Sequence, residues 1–458
     1  MPKLASAVAC LVAIYPLAML ACIESLSYGL LVPVLPITTT EYFARKANHG
    51  VPIDCVRNHT ASVCIAGSRQ ANLWSSATSS AGSIVSFLLA PLVGQSSDIY
   101  GRKPFIVLAQ VLHVVYPFTV LLFNDYNQDI LIYFITKFVY NAYLSGSVFA
   151  ACVADVIAPQ NRATAFGALF AVGSLSYSLA IALTQHLSTY QILVTSCGFY
   201  VLRLIWSLAC ISETLPKRVA KHASTTASLN PFVAMGILLQ TPLFRGLSII
   251  IALSTFVSSG LMSYRTFYFN NVLGFDKNGI ATFMLLVGVS SMVAQGVLLQ
   301  PLLSVLREKG VLVLSLLAYT GMAALYLVSL LTHDAAWIFV CAVLSGLGDI
   351  GFAAISSLKS IHVSAQDQGH VQGAVYGVRA FATALGPLAY STLYATLSTK
   401  SESEQAVPFL LSLVLYAASV LVACKLRVGA TPTFLDTESS TEDEAGRVPL
   451  LFDEELAP

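Results

Sequence analysis

Along this chain, apolar runs of about 20 residues alternate with short polar breaks as far as roughly residue 426. Each run can carry a helix across the roughly 30 Å hydrocarbon layer of a bilayer. A helix is favoured there because it satisfies its own backbone hydrogen bonds. The pattern predicts twelve spans, over about 7–36, 70–93, 104–123, 130–154, 163–187, 190–212, 246–269, 279–301, 311–331, 335–360, 369–395 and 405–426. Two connections are longer than the rest, a loop over 37–69 and a connector over 213–245. The expected fold is therefore an all-α integral membrane protein of twelve transmembrane helices in two six-helix bundles. Residues 1–212 and 246–426 form the bundles, 213–245 joins them, and 427–458 is a disordered acidic tail. A cleaved signal peptide fits the first run less well than a retained span, because that run continues through Leu30 to Leu35 and carries Glu24.

Composition narrows the class. Apolar residues make up 56% of the chain and charged residues 10%, more grease than a water-soluble core requires. A formal net charge of +1 gives no reason to expect nucleic acid as a partner. No phosphate-binding G-x4-G-K-S/T loop, H-E-x-x-H or G-x-S-x-G motif occurs, which leaves little support for nucleotide drive or a membrane enzyme. Neither a cofactor nor a metal is expected. Most of the nine cysteines sit in apolar runs as small buried side chains. Cys55 and Cys64 instead flank the sequon Asn58-His59-Thr60 in a polar loop, which makes Asn58 a glycosylation candidate and the two cysteines a disulfide candidate.

Charge placement gives an orientation. With the N-terminus in the cytoplasm, that side receives Lys3, Arg102, Lys103, Arg162, Lys217, Arg218, Lys221, Arg245, Arg307, Lys309, Lys359, Lys425 and Arg427. The opposite side receives only Arg45, Lys46, Arg57, Arg69, Lys277 and Lys400. Basic residues collect on the cytoplasmic side of membrane proteins, so both termini are expected inside and the sequon loop outside.

Between the second and third runs the sequence reads Gly94-Gln-Ser-Ser-Asp98-Ile-Tyr-Gly101-Arg102-Lys103. This G-x3-D-x2-G-R-K loop resembles the signature of the major facilitator superfamily. The stretch from Asp155 through Pro159 and Arg162 to Gly167 is similar to that family's loop between spans four and five, and Glu213-Thr-Leu-Pro216 to its exit from span six. Within the family, Asn271-Val-Leu-Gly-Phe275, Asp367-Gln-Gly369-His-Val-Gln372-Gly373 and Leu385-Gly386-Pro387 resemble the hippocampus-abundant-transcript proteins, relatives of tetracycline-efflux-like carriers. The resemblance implies a carrier that works by alternating access on a small solute. It also implies that Gly94, Asp98, Gly101, Arg102, Lys103, Asp155 and Arg162 form a gating loop, with Asp98 facing the N-terminus of span eleven. Two departures stand out. Span five lacks the Gly-Pro motif of drug-proton antiporters, and the turn Pro301 to Gly310 keeps its charges without the Asp-x2-Gly-Arg core. Independently of any family, Phe166-Gly167-Ala168 aligns with Gln372-Gly373-Ala374, superposing spans five and eleven as parallel halves would require.

Six ionisable residues fall within the predicted spans: Glu24, Lys137, Arg203, Arg265, Asp349 and Arg379. Such a residue at mid-bilayer costs about 2.5 to 3.5 kcal/mol, so each is expected in the protein interior or a wet cavity. Estimated depths pair Glu24 with Lys137 and Asp349 with Arg379, either as static ion pairs or as proton-coupling sites. Arg203 is expected to snorkel, and Arg265 to meet solvent or substrate. Tyr28, Tyr140, Tyr143 and Tyr376, with Arg265, are the candidate substrate contacts. Basic residues outnumber carboxylates in the spans, which favours an anionic solute. The expected partners are thus a small-molecule solute, protons and the lipid bilayer, for a monomeric secondary active transporter. The alternative is a receptor or scaffold that keeps the carrier fold without turnover.

Overall fold

The computed structural model describes residues 12–55, 61–123, 130–143, 145–215, 230, 232, 235–271, 277–363, 368–397, 404 and 406–428. The sequon Asn58, the basic connector residues Lys217, Arg218 and Lys221, and the acidic tail lie outside the described residues. Helices dominate, and no strand occurs among the described residues. In chain order they are α1 (Tyr15–Leu31), α2 (Val34–Ala47), α3 (Ser62–Tyr100), α4 (Lys103–Phe123), α5 (Leu131–Ala142), α6 (Gly146–Val156), α7 (Arg162–Thr184) and α8 (Thr189–Ala209). After the connector come α9 (Pro242–Asn271), α10 (Lys277–Val293), α11 (Leu299–Thr332), α12 (Ala336–Ile361), α13 (Gln368–Leu397) and α14 (Val407–Lys425).

Nine stretches of the described residues are long and apolar enough to cross a membrane. One of them, Thr282–Thr332, covers two expected spans. The expected spans at 130–154 and 369–395 are not among the nine, for identifiable reasons. The first is interrupted around Tyr143, which leaves α5 and α6 each too short. The second, α13, carries Gln368, His370, Gln372 and Arg379 together with several glycines, because it packs along α3 rather than facing lipid. Near the N-terminus the helix runs further than the expected limit of 36, through the Pro33 break and on to Ala47. The start of α8 is fixed by a reciprocal capping box, in which Ser188 accepts from the Gln191 amide and the Gln191 side chain accepts from the Ser188 amide.

Lipid is as apolar as leucine, so helices associate here through close packing of small residues. The N-terminal helices meet the C-terminal ones mainly along α3 against α13 and α7 against α10. At the first seam Gly94 lies against the Gly369 carbonyl and the Gly373 backbone, where a Cβ would collide with the main chain. The buried faces of α6 and α7 are correspondingly rich in alanine: Ala150, Ala151, Ala154, Ala163, Ala165 and Ala168.

The internal repeat is visible bond by bond. Arg162 donates from Nε to the Ile157 carbonyl (3.1 Å) and from Nη2 to the Ala154 carbonyl (2.7 Å). At the position aligned by Phe166 over Gln372, Gln368 donates from Nε2 to the Val363 (3.1 Å) and Ser360 (2.9 Å) carbonyls. The same acceptors, five and eight residues back, serve an arginine in one copy and a glutamine in the other. Likewise Lys103 Nζ donates to the Leu208 carbonyl near the end of α8, and Lys309 Nζ to the Cys424 carbonyl near the end of α14. Both lysines complement the negative C-terminal end of a helix.

The turn between α3 and α4 passes through Gly101 at φ 95° and ψ 162°, a conformation open to glycine and strained for other residues. The aligned position in the second copy is Arg307, at φ 54° and ψ −179°, where the path turns within Leu299–Thr332. Arg307 thus keeps the shape of the signature turn without the residue that makes it easy. Arg307→Gly is expected to raise the thermal unfolding midpoint of the purified protein, by a net gain of about 1 kcal/mol. Arg307→Val should lower it. Identical midpoints for both variants would show that the turn is unstrained.

Candidate functional site

A cavity of about 720 Å³ lies where α1, α6 and α7 face α9, α10, α12 and α13. Its walls are mostly apolar and aromatic, with Glu24, His113, Ser174, Gln295, Asp349 and Arg379 among the polar residues. That composition suits a small solute with a few fixed polar groups.

On the N-terminal side the charge network is built around Arg203, which is fully buried. Its guanidinium donates to Gln110 Oε1 (2.5 Å) and to His113 Nδ1 (2.8 Å), and reaches within 3.9 Å of Glu24 Oε1. Arginine is only a donor, so His113 Nδ1 must accept, leaving Nε2–H to donate to the Tyr143 carbonyl at 2.8 Å. Glu24 itself keeps 33% of its side chain exposed. One cavity carboxylate therefore sits at the end of an ordered polar chain, Glu24 to Arg203 to His113.

On the C-terminal side Asp349 accepts from Tyr319 Oη at 2.6 Å and from Ser291 Oγ at 2.8 Å. Gln295 Nε2 donates to Ser291 Oγ (2.8 Å), and Ser174 of α7 lies 3.3 Å from the same hydroxyl, so the network crosses between the two sets of helices. Gln295 belongs to a π-helical segment, Ala294–Leu298, between α10 and α11. Such wide turns recur at functional positions because they re-aim a side chain. Arg379 lies over the Phe352 ring, 4.4 Å from its centroid.

Several expected placements change. Glu24 does not pair with Lys137, because Arg203 occupies its side, and Lys137 donates instead to Ser75 Oγ. Arg203 does not snorkel, since Gln110, His113 and Ser27 hold it inside the bundle. Asp349 and Arg379 share the cavity without an ion pair, because hydroxyl donors occupy the carboxylate and a ring face holds the guanidinium. Of the expected substrate contacts, Tyr140 and Tyr376 line the cavity. Tyr28 only stacks on Tyr140 at 6.1 Å, and Tyr143 turns away to donate to the Phe105 carbonyl at 3.3 Å. Arg265 does not line the cavity; half-buried, it packs over Phe283 (4.9 Å) beside Met284. Ser291, Tyr319 and Phe352 carried no charge or motif that would have singled them out.

The signature residues form a latch at the end of the bundle to which the charge bias assigns the cytoplasm. Asp98 accepts from the Gly369 amide (2.9 Å) and the His370 amide (2.7 Å) at the start of α13, where unpaired amides favour an anion. Arg102, fully buried, bridges Asp98 at 2.6 Å and Asp155 at 2.9 Å. Glu213 accepts from the Arg102 (2.8 Å) and Lys103 (3.1 Å) amides beneath the Gly101 turn. A third donor of Arg162, Nη1, crosses to the Ser360 carbonyl at 2.7 Å. Arg102 and Arg162, expected on the cytoplasmic side as parts of a gating loop, are thus structural cations inside the protein. No such latch occurs in the second copy among the described residues. Ser304 and Glu308 occupy the places of Asp98 and Arg102, and Ser304 Oγ donates to the Pro301 carbonyl of its own helix. At the other, loop-bearing end, Cys55 and Cys64 are disulfide-bonded with their Cα atoms 5.5 Å apart.

A helical membrane protein with a mostly apolar cavity, carrying a few polar groups between two repeated sets of helices, has the architecture of a transporter, and comparison with known proteins agrees. Residues 17–387 match the model of the Major Facilitator Superfamily, and the chain belongs to that family of multi-pass membrane transporters. It is similar to human hippocampus abundant transcript-like protein 1, with 29% identity over 322 residues, 68% of this chain and 62% of the relative. The chain therefore spans about three fifths of the length of that relative. It is also similar to the class G tetracycline resistance protein of Vibrio anguillarum, with 23% identity covering 81% of this chain and 88% of that protein. In fold it resembles the crystal structure of the human organic anion transporter MFSD10, with a TM-score of 0.74 at 18% identity over 90% of this chain and 99% of the other.

Removing one member of a buried charge cluster costs more than removing a single hydrogen-bonding partner. Arg102→Gln strands Asp98 and Asp155 together and is expected to cost about 3 to 5 kcal/mol. Asp98→Asn should cost only about 1 to 2 kcal/mol. Thermal midpoints of the purified variants check the order, and equal losses would contradict the latch geometry.

Proposed function

We propose that the protein is a secondary active carrier that moves a small organic solute by alternating access and couples the movement to protons. The observation that carries this reading is the cavity with one carboxylate on each side, Glu24 and Asp349, each joined to a polar network and neither closed into a tight ion pair with arginine. A buried carboxylate in that position can gain or lose a proton as its access to water changes. The latch supports a two-state cycle, with residues 1–212 and 246–426 rocking about the cavity while 213–245 tethers them. In this cycle the Asp98 contact with α13 holds one access state closed.

The proposed orientation places both termini and the latch in the cytoplasm and the Cys55–Cys64 loop outside, in line with the basic-residue bias. A surplus of buried cations favours a solute with a negative group, and the organic anion transporter among the similar structures points the same way. No enzymatic constellation competes with this reading. Span five runs as an uninterrupted helix through Gly167 to Tyr177, without the proline of drug-proton antiporters, which weakens an antiport assignment.

Glu24→Gln and Asp349→Asn, tested separately in proteoliposomes under an imposed pH gradient, should each abolish pH-dependent uptake. Uptake that keeps its pH dependence in both variants would refute the coupling. Equilibrium binding without counterflow of labelled solute would instead identify a receptor built on the carrier fold.

A further inference from the structure

Lys359 was expected at the cytoplasmic surface, yet it is fully buried and its Nζ has no hydrogen-bond partner among the described residues. What surrounds the amine is aromatic. It lies 5.2 Å from the centroid of the Tyr376 ring and 5.7 Å from that of Phe352. Those two rings meet edge to face at 6.1 Å and both line the cavity. Lys359 itself sits one layer beyond them, towards the latch.

Helical spacing explains what else is there. On α12, Phe352 and Ile355 line the cavity, and Ser356 and Lys359 continue the same stripe towards the latch end. On α13, Arg379 and Tyr376 line the cavity, and Gln372 continues their stripe in the same direction. Gln372 is fully buried, and among the described residues neither its Oε1 nor its Nε2 has a partner, nor does Ser356 Oγ. Burying an unpaired ammonium or amide is costly. Two stripes of cavity wall thus run on to buried polar groups that have no partner among the described residues.

We propose that Lys359 is a second, inner binding site for the negatively charged group of the solute, entered from Arg379 by passing between Phe352 and Tyr376, and that Ser356 and Gln372 line the exit path of the other access state. The proposal rests on the carrier reading and names the chemistry of its solute, a carboxylate, sulfonate or phosphate monoester on an organic body. Arg379 draws the anion to the aromatic pair, and Lys359 receives it when the latch end opens. Glu24 and Asp349 remain the proton sites and are not needed for the anion to dwell at Lys359.

Purified full-length protein in nanodiscs provides two readouts. The first needs no ligand. Lys359→Met should raise the thermal midpoint, because it removes an uncompensated buried charge, whereas a lysine that merely props the helices apart would lower the midpoint when lost. The second uses acids and their neutral twins, 2-naphthoate against methyl 2-naphthoate, with naphthalene-2-sulfonate and 2-naphthyl phosphate as further anions, by titration calorimetry. At least one anion should bind at least tenfold more tightly than the neutral ester, lose at least tenfold in affinity in Lys359→Met and keep it in Lys359→Arg. A lowered midpoint, ester binding as tight as that of the acids, anion affinity unchanged in Lys359→Met, or no binding by any of the anions would each overturn the site. Counterflow of a neutral solute with no anion binding would leave the carrier reading standing and remove only the anion site.

Discussion

A charge inside this bundle must be matched by a specific partner, because neither lipid nor a tightly packed interior can solvate it. That constraint organises the molecule. The described residues bury Arg102, Arg162, Arg203 and Lys359, and three of these four are held by carboxylates, carbonyls or ring nitrogen at hydrogen-bond distance. Arg102 is the most consequential, since one guanidinium ties Asp98 of α3 to Asp155 of α6, and Asp98 in turn ties α3 to the first amides of α13. The seam between the two sets of helices is glycine-lined where Gly94 meets Gly369 and Gly373, so the backbones come close enough for one carboxylate to reach across.

The repeat shows which parts of this arrangement are architectural and which are specialised. The Arg162 and Gln368 bond patterns, and the Lys103 and Lys309 caps, occur in both copies and serve the fold. The Asp98, Arg102 and Asp155 cluster occurs once among the described residues. The seam along α3 and α13 carries this charged latch, whereas the seam along α7 and α10 carries a hydroxyl contact between Ser174 and Ser291. Arg307 shows the same difference in the backbone, adopting the glycine-like turn of Gly101 without a glycine.

Much of the fold was legible from periodicity and from the signature loop alone, since apolar runs of bilayer length and a glycine-punctuated basic turn have few other uses. Where the reading slipped, a physical reason is at hand. The helix near the N-terminus runs past the expected limit of 36 to Ala47, and the expected spans at 130–154 and 369–395 fall outside the nine apolar stretches because one breaks at Tyr143 and the other carries polar residues against neighbouring helices. The site was less legible. Depth along a span predicts which charges share a layer but not which way each faces, so Glu24 was matched with Lys137 when Arg203, on another helix, held the closer position. Lys359 misled for a different reason. Two residues from the end of α12 it looks like a positive-inside anchor, but helical side chains lean towards the N-terminus, and this one turns back under Phe352.

The central claim is that the Asp98 latch holds the two sets of helices together at one end of the bundle. Tyr100 and Val305 are both exposed and occupy nearly equivalent positions at that end of α3 and α11. With spin labels at cysteines introduced there and the other free cysteines replaced, double electron–electron resonance reads the distance between them directly. The account predicts a narrow, short distribution that gains a distinctly longer population when Asp98 is changed to Asn. A distribution that stays the same in the Asp98→Asn protein would contradict it.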